Sequence, residues 1–220
     1  MTPDELQTML NYRFRDEKRL EKALTHSSAG ADGNYERLEF LGDRVLGLVM
    51  AHVLYETFPD EAEGDLAKRH AALVQGKTLA DIAREIDLGA TMILSDAEAR
   101  GGGTDNDSIL ADGVEAVIGA LYLDGGLAPC AAAIKTLWGE RVREMNEPPR
   151  DPKTALQEWA QGRGLPLPLY EEIGREGPDH APEFTIQATV QGFDPAAAKG
   201  SSRRAAEKTA AATLLERLGT

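Results

Sequence analysis

At 220 residues, 42% hydrophobic and 28% charged, the chain fits one large globular domain or two unequal ones. A single cysteine, Cys130, excludes an internal disulfide framework and any zinc site built on several thiolates. The formal net charge of −13 is uneven: residues 1–150 carry 16 Lys+Arg against 27 Asp+Glu, whereas residues 151–220 carry 8 against 10. Acidity over the whole chain therefore does not exclude a nucleic-acid partner, because binding depends on where the positive charges sit.

The opening MTPDELQTML lacks the basic-then-apolar pattern of a secretory signal. Within it, Thr2-Pro3-Asp4-Glu5 reads as a capping box with proline at the first helical position. Hydrophobic periodicity predicts helices over 3–10, 16–24, 35–56, 63–73, 76–86, 108–124 and 129–144. Ser108 is the expected N-cap after the break at Gly101–Gly103. The longest apolar run, Val45 to Tyr55, is too short to span a bilayer and contains His52. A soluble, cytoplasmic protein without a membrane partner is expected.

Three prolines between 148 and 152 cannot continue a helix and form a stiff connector. Domains are accordingly expected at 1–147 and 153–220, with 148–152 as linker. Beyond it the period changes. A helix over 153–161 is followed by a strand at 169–176 and a second at 184–190, where Phe184, Ile186, Ala188 and Val190 alternate onto one face. A closing helix over 202–218 carries Ala206, Ala210, Leu214 and Leu218 as its buried stripe. The fold class is an all-α domain followed by a small α+β domain.

Two helices carry acids in register. In NYERLEFLGDR, Glu36, Glu39 and Asp43 fall within an arc of about 60°. Leu38, Leu41, Val45, Leu48 and His52 are expected on roughly the opposite side. In helix 108–124, Asp112 and Glu115 share a face while Val114, Val117 and Leu121 point away. Like charges one turn apart repel, and solvated faces are the ordinary account of such stripes. Both helices are otherwise very apolar, however, and Gly42, Gly47 and Gly119 leave room for close approach. Half-buried carboxylates without cationic partners are costly unless a metal neutralises them. Oxygen-only ligands suit a hard divalent ion such as Mg²⁺. The residues alone leave both accounts open. A di-iron bundle is disfavoured, since none of His26, His52, His70 and His180 follows an acid by three positions.

The segments Ala23–Ser28, Asn34–Asp43, Glu63-Gly-Asp65 and Ser108–Glu115, in that order, resemble bacterial ribonuclease III. The resemblance extends to the C-terminal part, which is similar to a double-stranded-RNA-binding domain of order α-β-β-β-α. It implies a homodimeric, Mg²⁺-dependent endoribonuclease, Mn²⁺ substituting, with no small-molecule cofactor. The expected reaction is hydrolysis of double-stranded RNA to 5′-phosphate and 3′-hydroxyl ends with a short 3′ overhang, in rRNA and mRNA precursor processing and RNA decay. Glu39, Asp43, Asp112 and Glu115 match the family's metal-binding and catalytic carboxylates. Glu36 and Glu63 match accessory acids, and Phe40 the aromatic inserted into the partner subunit. On the RNA-binding side the resemblance assigns contacts to Thr154, Gln157, Glu158, His180, Ser202, Arg203, Arg204 and Lys208. The basic start of the last helix is also a phosphate-binding end on physical grounds. This chain departs from the family pattern at Arg44, where a small residue is common, and at Ala198, where a loop glycine is usual. The alternative is an RNA-binding regulator with a retired nuclease fold, although all four acids are retained.

Overall fold

In the computed structural model, residues 1–30, 33–178 and 181–219 are described. They divide into two compact units, Met1–Pro149 and Arg150–Thr220.

The first unit is helical: α1 (Pro3–Met9), α2 (Glu17–Leu24), α3 (Glu36–Thr57), α4 (Glu63–Val74), α5 (Gly76–Glu85), α6 (Asp96–Arg100), α7 (Asp107–Gly125) and α8 (Leu127–Glu144). Helix α1 begins with the capping box read from Thr2 and Glu5. The N-cap of α7 is Asn106 rather than Ser108. Its side chain accepts from the N–H groups of Ser108 and Ile109, so the helix starts at Asp107 and Ser108 lies within its first turn. The short α6 was absent from the sequence reading, since five residues carry too little periodicity.

Helix α7 is buried on nearly every side, from Ile109 through Leu121, and packs against α2, α3, α5 and α8. A helix apolar all round belongs at a domain centre. On α3 the buried face runs through Leu38, Gly42, Val45, Leu46, Val49, Met50 and Leu54. That corrects the expected stripe: Leu48 is 60% exposed and His52 lies in solvent. The buried face follows Gly42, whose backbone meets α7 at Glu115, and so runs through Leu46 and Val49 rather than Leu48. Elsewhere, fully buried Arg69 pairs with both carboxylate oxygens of Glu61 (2.7 and 2.5 Å) and lies 3.8 Å from the Phe58 ring centroid. It also donates to the carbonyls of Met145 and Asn146, tying α4 to the chain beyond α8.

The α3–α7 crossing is made of backbone. A Cβ on Gly42 would lie 1.7 Å from the Glu115 carbonyl oxygen, and one on Gly119 would lie 2.2 Å from that of Leu38. No side chain can yield at either contact.

The second unit consists of α9 (Pro152–Gln161), β1 (Leu169–Glu176), β2 (Glu183–Thr189), β3 (Ala196–Gly200) and α10 (Arg203–Arg217). The antiparallel sheet has the order β1-β2-β3, with a register shift between Glu172 and Gly174. The third strand expected from the α-β-β-β-α order is Ala196–Gly200, with Ala198 opposite Ile186 where the family pattern has a loop glycine. Alanines there carry no strand signal of their own, and pairing with β2 supplies it. Helices α9 and α10 pack together, and α10 lies on β2 and β3. Between them are buried Leu156, Ile186, Ala188, Val190, Ala206, Ala210 and Leu214. The small residues of α10 let it approach the sheet closely.

Gly119→Ala is expected to cost about 3 kcal/mol or more, beyond the usual overpacking range, because it strikes backbone rather than a side chain. Gly64→Ala, where an added Cβ meets nothing, is expected to be neutral or stabilising. Urea unfolding of both variants checks the contrast.

Candidate active site and RNA-binding face

Because Gly42 rests on the Glu115 carbonyl and Gly119 on that of Leu38, the acidic positions of the two helices meet on one side of the crossing. Glu39, Asp112 and Glu115, all half-buried, each offer a carboxylate oxygen, and these oxygens lie within 4.8 Å of one another. Asp43 is outside this group; its carboxylate pairs with the adjacent Arg44. Glu36 is exposed at the first turn of α3, and Glu63 is exposed at the start of α4. Phe40 is 67% exposed, with the Arg44 guanidinium 5.5 Å from its ring centroid. One aromatic outside the acidic stripes reaches the cluster. Tyr35, only 3% exposed, donates its hydroxyl to Asp112 Oδ2 at 3.3 Å. An apolar-looking residue outside the acidic spacing gives no polar signal.

The electrostatics match the crowding. Burial, then Asp112 and Glu39, push the Glu115 carboxyl up to about 7, against an opposing pull from Arg44. Glu39 is raised by burial, then by Asp112 and Glu36. Asp112 is raised by burial, while the Tyr35 hydroxyl and His26 counter it. Three hard oxygen donors, each resisting its own negative charge, fit a divalent cation: it takes oxygen ligands, and its charge removes the repulsion.

In the second unit, Thr154, Gln157 and Glu158 are exposed on α9. Ser202 caps α10, its hydroxyl accepting from the Ala205 N–H at 3.2 Å. Arg203 pairs with Glu172 at 2.7 Å and Lys208 with Asp151 at 2.9 Å, while Arg204 is exposed. Thr154, Gln157, Arg203, Arg204 and Lys208 line one cleft of about 810 Å³. His180 lies outside the described residues.

A helical domain with a carboxylate cluster and a separate α-β-β-β-α domain with a cationic helix start define a nuclease joined to a duplex-RNA-binding module. The family described as ribonuclease-III-like matches residues 16–140, and the double-stranded RNA binding motif matches residues 152–218. The chain belongs to the ribonuclease III family and is an endoribonuclease. It is 51% identical to ribonuclease 3 of Caulobacter vibrioides, over 98% of this chain and 95% of that one. It is 49% identical to ribonuclease 3 of Rhodobacter capsulatus, over 95% and 92%. The crystal structure of the ribonuclease III nuclease domain of Campylobacter jejuni, 42% identical, superposes with a TM-score of 0.60, covering 63% of this chain and 95% of that one. A second structure of that domain concerns a region involved in dimer formation. No helix among the described residues is long and apolar enough to cross a membrane.

A raised carboxyl pKa has a defined sign. Without divalent cation, the folded chain holds the Glu115 proton more tightly than the unfolded chain does. The stability from this group is therefore complete below its ordinary value of 4.5 and is lost as pH rises through about 7. In EDTA, Glu115→Gln is expected to be more stable than wild type at pH 8, with the gap narrowing toward pH 5. Thermal unfolding of both chains at the two pH values tests this.

Proposed function

We propose that this chain is a homodimeric, Mg²⁺-dependent endoribonuclease that hydrolyses double-stranded RNA in the cytoplasm. The expected products carry 5′-phosphate and 3′-hydroxyl ends with a short 3′ overhang, and the role is in rRNA and mRNA precursor processing and RNA decay. One observation carries the reading: carboxylate oxygens of Glu39, Asp112 and Glu115, from helices far apart in sequence, converge to within 4.8 Å of one another.

Glu39, Asp112 and Glu115 would hold the cation, and Asp43, one turn along α3, would complete the acid set. A bound divalent ion supplies charge neutralisation at a phosphodiester and acidity to an attacking water. The protein's part is to fix its ligands. Both helices are buried behind the cluster, so the carboxylates stay close despite their repulsion. Glu36 and Glu63 are accessory acids that shape the potential around the site. Mn²⁺ is expected to replace Mg²⁺, since the same oxygen ligands suit it. Phe40, exposed and next to Glu39, is the proposed contact with a second copy; an aromatic that open to water is the kind of residue an interface covers.

The second domain reads the A-form duplex by shape. Thr154, Gln157 and Glu158 are the proposed contacts to one minor groove, and His180, which follows β1 in sequence, is the proposed contact to the next. Ser202, Arg203, Arg204 and Lys208 meet the phosphates between them. Such contacts select duplex RNA with little sequence preference.

Glu115→Gln is expected to abolish cleavage of a long RNA duplex in Mg²⁺ while leaving duplex binding at wild-type affinity. Parallel gel assays of cleavage and binding, with EDTA as control, read both. Cleavage by the variant at near wild-type rate would refute the site. A wild-type chain that binds duplex yet cuts it under no divalent ion would make it an RNA-binding regulator on a retired nuclease fold.

A further inference from the structure

The segment Ala23–Ser28 packs where α3 begins. Thr25 O accepts from the Tyr35 N–H at 2.9 Å, fixing the backbone where α3 begins. The His26 ring lies against the Tyr35 ring, centroids 5.4 Å apart and planes at 37°. His26 is itself held in place. Its Nδ1 accepts from the Ser28 N–H at 3.1 Å and lies 2.7 Å from the Ser28 hydroxyl, whose oxygen accepts from the Ser95 N–H at 3.1 Å. Tyr35 thus has its backbone, its ring face and its burial all determined by neighbours.

Its position makes the hydroxyl informative. Tyr35 is the N-cap residue of α3, where Ser, Thr, Asp or Asn is normal because a short oxygen satisfies the first N–H groups. Tyr35 makes no capping bond; the neighbouring Asn34 side chain accepts from the Glu36 N–H instead. The tyrosine oxygen reaches across to α7 and donates to Asp112 Oδ2. A donor on one carboxylate oxygen fixes the plane of the group and so the direction in which its other oxygen faces.

We infer that Tyr35 is a positioning residue, backed by His26 and Ser28, whose hydroxyl orients the Asp112 carboxylate toward Glu39 and Glu115 for divalent-cation binding. This inference rests on the metal reading of the three carboxylates. Groups bonded to a metal's ligands typically change metal affinity 10- to 100-fold when removed.

The test is Tyr35→Phe in the full chain, which keeps the ring and its packing. Calorimetric titration with Mn²⁺, without RNA, is expected to show affinity weakened by about 10-fold. The Mg²⁺ concentration for half-maximal cleavage is expected to rise by the same factor, with kcat recovering in excess Mg²⁺. Duplex binding in EDTA and the unfolding temperature should stay near wild type. Unchanged Mn²⁺ affinity in the variant, with wild type binding Mn²⁺ and Glu115→Gln failing to, would overturn the role of Tyr35 alone. Wild type that takes up no Mn²⁺ at this site would overturn the metal reading and the inference together. A Tyr35→Phe chain that unfolds, or loses kcat without a shift in metal dependence, would make the hydroxyl structural and also overturn the inference.

Discussion

The candidate site depends on two glycines. Gly42 and Gly119 bring α3 and α7 into contact along their backbones, closer than any side chain would permit, and each touches a carbonyl beside an acidic position. Gly42 meets the carbonyl of Glu115 itself; Gly119 meets that of Leu38, the residue before Glu39. Side-chain packing would set helix axes about 8–10 Å apart. Backbone contact brings the acids of both helices within reach of one point. The same contact buries their inner faces, which raises the cost of each charge.

That cost is part of the design. A chain optimised for stability would place a cation among Glu39, Asp112 and Glu115, as it does with Arg69 against Glu61. Here Arg44 pairs with Asp43 and only partly offsets the field at Glu115. A divalent ion bound there would relieve the repulsion, which would link metal binding to local stability. The second domain shows the opposite economy. Its cations at the start of α10 are held by carboxylates of their own domain, Arg203 by Glu172 and Lys208 by Asp151. Any phosphate bound there would have to displace those partners.

How much of this could be read from the sequence follows from what local pattern encodes. The long helices, the strand at 184–190 and the paired acidic stripes were legible, because periodicity reports which face is buried. Other features were not. Leu48 looked like core on hydrophobicity, yet a backbone crossing at Gly42 turns it to solvent. The third strand carries no alternation of its own and was expected only from the family order; pairing with β2 makes it a strand. Tyr35 could not be linked to Asp112, since that hydrogen bond spans 77 positions and its donor looks like a core aromatic. At the acidic site, the sequence distinguished the stripe but not its members: Glu39 joins the cluster, while Asp43 and Glu36, on the same arc, remain outside it.

The central claim is that Glu39, Asp112 and Glu115 form one cation site at the crossing. Anomalous scattering from crystals of the full chain soaked in Mn²⁺ tests it directly. The account predicts a peak within bonding distance of oxygens from all three carboxylates. A peak held by Asp43 or Glu36 without Asp112 and Glu115, or no peak at the crossing, would contradict it.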